Sequence, residues 1–265
     1  MDLIDGMTSG TGPLACHAVK LCAMSIKPLI LAAVLQPLFA IAAADVPSVA
    51  IPAQRDAEWH SYRHAYKAAR FFEPYVKVRP LIQAHMQIRP NTPDESMEGL
   101  QIRLEGETVN LAIPVDALGR ATLPMLKQAY DEDAVLRLNR HKGHFQFSGR
   151  YSIRERDDGV YSMANLRAAC EQLLSAQRES GYRLRLIGKQ CDGVKFVYPM
   201  NGPAPDVYYR DAAGKLTALP AEPGYPFENA TMGHYRLAVV RFAAWPADGG
   251  IVAKSRPLGI GTVYD

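Results

Sequence analysis

Residues 81–105 read LIQAHMQIRPNTPDESMEGLQIRLE, and the period of their apolar residues decides the fold class. Ile82, Ala84, Met86 and Ile88 alternate with Gln83, His85, Gln87 and Arg89. After a turn at PNTPDES, Leu100, Ile102 and Leu104 alternate with Gln101, Arg103 and Glu105. A period of two places apolar side chains on one face of a strand and polar ones on the other, so this is a half-buried antiparallel sheet. The pattern spreads outward. Val109, Leu111, Ile113 and Val115 follow a break at Gly106, and Gly119 makes a further turn. A short strand or one helical turn is expected around Pro124. Ala134, Leu136 and Leu138 form another strand, and a Lys142-Gly143 turn leads into Phe145, Phe147, Gly149, Tyr151 and Ile153. Five or six short strands predict a β-sandwich-like or barrel-like module over residues 76–160.

Helical spacing appears on either side. Asp56 is expected to cap a helix reaching Phe72, ended by Pro74, with Trp59, Tyr62, Tyr66 and Ala69 buried. The lead-in and this helix occupy residues 45–75. Met163, Leu166, Cys170, Leu173 and Leu174 lie on one helical stripe that stops at Gly181. Tyr182, Leu184 and Leu186 then alternate with Arg183 and Arg185, which predicts a hairpin whose second strand carries Val194, Phe196 and Tyr198. Helix and hairpin fill residues 161–200. PMNGPAP at 199–205 is a candidate linker, and residues 201–265 form a β segment docked on the main body. The expected class is α+β, mainly β.

The run IRLEGETVNLAIPVDALGRATLP, residues 102–124, resembles the acidic residue, turn glycine, strand rhythm of transthyretin-like, carboxypeptidase-regulatory-type β-sandwich domains. The resemblance implies a non-catalytic accessory module. The overall layout is also similar to uncharacterised secreted bacterial proteins, a likeness that brings no activity with it.

The front of the chain points to a compartment. From Met24 it reads MSIKPLILAAVLQPLFAIAAADVP, with Lys27 before an apolar run from Leu29 to Ile41 and Ala42-Ala43-Ala44 before Asp45. Cation, short apolar run and small residues read as a signal peptide over residues 24–44. Residues 1–23 read as an over-extended gene start. The expected location is periplasmic or secreted, with no transmembrane segment in the mature chain. Of four cysteines, Cys16 and Cys22 precede the mature chain, leaving Cys170 and Cys191. In an oxidising compartment the two suggest one disulfide; a reactive thiol or half a metal site are the alternatives.

Composition narrows the function. Hydrophobic residues at 48% and charged residues at 22% exclude a disordered tail, a collagen-like fibre and a multi-span membrane protein. A net charge of +3 falls short of a nucleic-acid-binding stripe, so no nucleic-acid partner is expected. No nucleophile elbow, Ser-x-x-Lys motif or phosphate-cradling glycine loop is present, and no cofactor is expected. His60 and His64 at i, i+4 share their spacing with metalloprotease helices, but Ser61 stands where a general-base glutamate is needed. They remain the sole metal candidates beside Asp131-Glu132-Asp133, which reads as a helix-to-strand loop rather than a calcium loop. Arg150 and Arg154 on one hairpin and Arg183 and Arg185 on another would form a cationic patch if the two outer faces adjoin. The bland alternative is a sheet face blunted against edge pairing. The expected function is a non-enzymatic accessory or binding protein of the cell envelope, its partner another envelope protein or an anionic polymer. A hydrolase of cell-wall or extracellular polymer using paired carboxylates is the alternative.

Overall fold

The computed structural model describes residues 57–228 and 230–265. The leader, the gene-start segment with Cys16 and Cys22, the lead-in to Asp56, and Asn229 lie outside the described residues.

Ala57–Ser61 is a strand, β1, and the first helix, α1, runs from Tyr62 to Lys77. The helix expected from Asp56 starts late because Ser61 takes the cap. Its extended backbone stops the strand, and its hydroxyl accepts from the His64 amide at 3.4 Å. Trp59 accordingly sits on β1 and is exposed, not on the buried helical face. Pro74 lies inside α1 rather than ending it. Arg79 closes the last turn: its amide reaches the Val76 carbonyl at 3.0 Å and its guanidinium the Tyr75 carbonyl at 2.9 Å.

Strands β2 (Ile82–Pro90), β3 (Ile102–Glu105), β4 (Asn110–Ile113) and β5 (Arg120–Ala121) follow, then a short helix α2 (Lys127–Asp131). Next come β6 (Val135–His141), β7 (Phe145–Ile153), β8 (Val160–Ser162) and the helix α3 (Met163–Gln177). The chain closes with β9 (Cys191–Tyr198), β10 (Val207–Arg210), β11 (Leu216–Ala218), β12 (Glu222–Gly224), β13 (Tyr235–Arg241), β14 (Gly250–Ala253) and β15 (Gly259–Tyr264). They form three antiparallel sheets: β1-β6-β3-β4, β11-β10-β14-β8, and a seven-stranded β12-β13-β9-β15-β7-β2-β5. The protein is α+β, mainly β. Strands β2 to β7, within residues 76–160, divide between two of the sheets, and residues 201–265 supply β13 and β15 to the interior of the largest. Among the described residues no helix is long and apolar enough to cross a membrane.

Two cores hold these sheets. One gathers α3 with Ile82, Tyr151, Ile153, Phe196, Val240 and Ile260. The other gathers Tyr62 of α1 with Ile88, Ile102, Leu104, Leu136, Leu138 and Phe145. The nine-residue ladder of β2 on β7, from Ile82↔Ile153 to Pro90↔Phe145, puts one end in each core. Its middle lies between them.

The stripe expected on α3 is buried as read, and Gly181 turns the chain at φ 104. The hairpin expected after it is absent. Arg183–Leu186 is a single 3₁₀ turn, with Leu184 83% and Ile187 72% exposed. A strand here would have needed a ladder for its carbonyls. Arg178 instead donates to the carbonyls of Leu186 at 3.3 Å and Lys189 at 2.6 Å, which satisfies them locally. Cys170 and Cys191 form the expected disulfide, with Cα atoms 6.0 Å apart. It ties α3 to the first residue of β9 and closes a loop that contributes about 3 kcal/mol by chain entropy.

Candidate functional site

An apolar cavity opens at the middle of the β2–β7 ladder. The face of α1 carrying Ala65, Ala68, Ala69, Phe72 and Val76 looks across at Ala84 and Met86 of β2 and Phe147 and Gly149 of β7. Small side chains on both walls leave a space of about 330 Å³, within the range of small-ligand pockets. A Cβ on Gly149 would run into the Phe72 ring, so only glycine lets that ring lie on the sheet. Leu123 and Met125 form a further wall. Tyr62 anchors their segment, donating to the Pro124 carbonyl at 2.6 Å and accepting from the Leu126 amide at 2.8 Å.

A second cavity, of about 500 Å³, shares Phe72, Ser148 and Gly149 with the first. Its origin is a split in the large sheet. β15 stays on β9 through six register pairs but meets β7 only at Ile260↔Ile153, so the two strands part beyond that point. The gap is lined by Arg89, Arg150, Arg185 and Lys189, with Glu228 as the one carboxylate among its lining residues. Arg150 lies 3.4 Å from Glu228 and 3.5 Å over the Phe227 ring. Burial, and the Arg89 charge beside it, push the Arg150 guanidinium down from its ordinary value. Two buried nitrogens, Nε2 of His85 beside the first cavity and Nε of Arg89 beside the second, have no hydrogen-bond partner among the described residues. Burial foremost, then Arg120 and Arg150, pushes the His85 imidazole down to about 3, so it is neutral at ordinary pH.

The cationic residues read from the sequence are divided by the structure. Arg150 and Arg185 meet on the cleft. Arg154 instead donates to the carbonyls of Pro80 at 3.2 Å and Ile82 at 3.0 Å, and Arg183 is exposed on the 3₁₀ turn without lining the cleft. Their outer faces adjoin through a turn folding onto a split sheet, not through two hairpins. Arg89 completes the cluster and was not singled out by sequence. Its signal lay in register, because β2 pairs with β7 so that Arg89 faces Gln146 and His85 faces Arg150.

His60 and His64 do not share a helix. His60 is on β1, pairs with Leu136, and stacks on Phe147 at 5.0 Å, while His64 is on α1 with its ring 6.2 Å away. Burial, then the neighbouring His64, lowers the His60 pKa. No group of three His, Cys, Asp or Glu that could hold a metal occurs among the described residues. Asp131, Glu132 and Asp133 bond to Lys127, Thr108 and Arg63 respectively, three partners that hold the helix-to-strand loop. Glu155 is paired with half-buried Arg120 at 2.6 Å, and Arg120 also holds Asp116 at 2.7 Å. Glu132, Asp158, Glu179 and Glu228 are all held below the usual carboxylate range, the opposite of what a general acid requires.

Searches against family models, curated proteins and solved structures find no match to this chain.

Proposed function

We propose that the protein is a secreted or periplasmic binding protein of the cell envelope that holds an anionic ligand in the cleft between β7 and β15. The observation that carries the reading is the lining of that cleft, four cations against one carboxylate. Cations brought together in a partly enclosed site repel one another, and an anion relieves that repulsion while satisfying their donors. The disulfide agrees with an oxidising compartment, and a non-catalytic role agrees with what the transthyretin-like resemblance implies. Candidate ligands share one chemistry: the carboxylate, phosphate or sulfate of an envelope polymer, a lipid head group or an acidic face of another envelope protein. The hydrolase alternative gains no comparable observation.

The test is equilibrium dialysis of the full chain against a short polyphosphate, at low and high salt. Binding that weakens with salt and falls roughly tenfold in an Arg185→Gln, Lys189→Gln double variant is expected. Equal binding by the variant would remove the cleft from the account.

A further inference from the structure

We infer that the ligand is a single-chain anionic amphiphile, a long-chain carboxylate, with its head among Arg89, Arg150, Arg185 and Lys189 and its tail under α1. This deepens the anionic-ligand reading and rests on it. The two cavities differ in chemistry and share a wall. One is walled mainly by alanines, Met86, Phe147, Val76 and Met125, with Glu73 among its lining; the other sets four cations beside Leu186 and tyrosine rings. Phe72, lying on Gly149 and edge-on to Tyr151 with ring centres 5.2 Å apart, stands where they meet. A molecule whose two ends differ in the same way fits both at once. A purely polar anion would leave the space under α1 unfilled, and a neutral hydrocarbon would leave the cations unmatched.

Size favours one chain. The space under α1, about 330 Å³, is of the size that takes a small ligand or a single aliphatic chain. Met86 and Met125 give that wall flexible, polarizable surfaces suited to an aliphatic chain. His85 lines the same cavity, and because its ring stays neutral it adds no charge against the tail.

Isothermal titration of the full chain with acetate, octanoate, dodecanoate and dodecanol tests this. Dodecanoate should bind tightest, with each methylene beyond octanoate tightening binding about fourfold. Dodecanol, which lacks the charge, should bind roughly tenfold weaker or worse. Ala68→Phe should remove the gain with chain length while leaving melting unchanged; Met125→Phe narrows the pocket from the opposite wall should the first variant prove unstable. If acetate binds as tightly as dodecanoate, the amphiphile inference is overturned and the anion-binding cleft stands. If dodecanol matches dodecanoate, or no carboxylate binds while polyphosphate does, the amphiphile inference alone is overturned; if polyphosphate fails to bind as well, the anionic reading falls with it.

Discussion

His85 shows how much one residue's meaning depends on what covers it. In sequence it is one of four polar residues on β2; in the structure it stands opposite Arg150, buried beside Arg120 and lining the apolar cavity. Its folded pKa of about 3 lies below the ordinary 6.5. The unfolded chain therefore binds more protons between those values, so stability rises with pH through that window and falls as acid is added. The slope is about 1.4 kcal/mol for each pH unit, or about 2 kcal/mol between pH 6.5 and 5. Denaturant unfolding at those two pH values should show that loss in the native protein and a smaller one in His85→Gln. Equal losses would mean that the imidazole is accessible to protons when folded. Gly149 was legible only as a member of a strand. Its role, admitting the Phe72 ring, depends on a residue 77 positions away in the chain.

At the scale of elements, periodicity was a sound guide wherever apolar and polar residues alternated. β2, β3, β6 and β7 and the buried stripe of α3 were legible because each has one apolar face and one polar face. Tyr182–Leu186 shows where the guide ends. Three apolar residues at a period of two imply a strand only when another strand offers a ladder, and here Arg178 satisfied the carbonyls first. The start of α1 was misplaced for a related reason: Ser61 and the pairing of β1 on β6 outcompeted a helix through Trp59 and His60. The disulfide was legible from cysteine number and the expected compartment, but its consequence was not. The segment it closes, Cys170 to Cys191, carries Arg185 and Lys189. Cys170→Ser should therefore lower stability by about 3 kcal/mol and also weaken binding of the anionic ligand, measured by unfolding and titration of the same preparation. A variant that unfolds earlier yet binds unchanged would show that the cleft does not depend on the staple.

For the whole molecule, the site exists because two cores share one ladder and one sheet is split. Neither feature can be read from local patterns. Pairing of β15 with β7 joins Ile260 to Ile153, 107 positions apart in the chain, and a single sequence carries no register for such contacts. What the sequence offered was a set of cations in two places; the fold selected Arg150 and Arg185, set aside Arg154 and Arg183, and added Arg89. An acidic amphiphile that occupies both cavities at once can be located directly in a crystal of the full chain grown with dodecanoate brominated at its last carbon, through anomalous scattering. The bromine is expected under α1, beside Ala68, Met86 and Met125, and the carboxylate within hydrogen-bond reach of Arg89, Arg150 or Arg185. A bromine outside that pocket, or a carboxylate away from those arginines at saturating ligand, would contradict it.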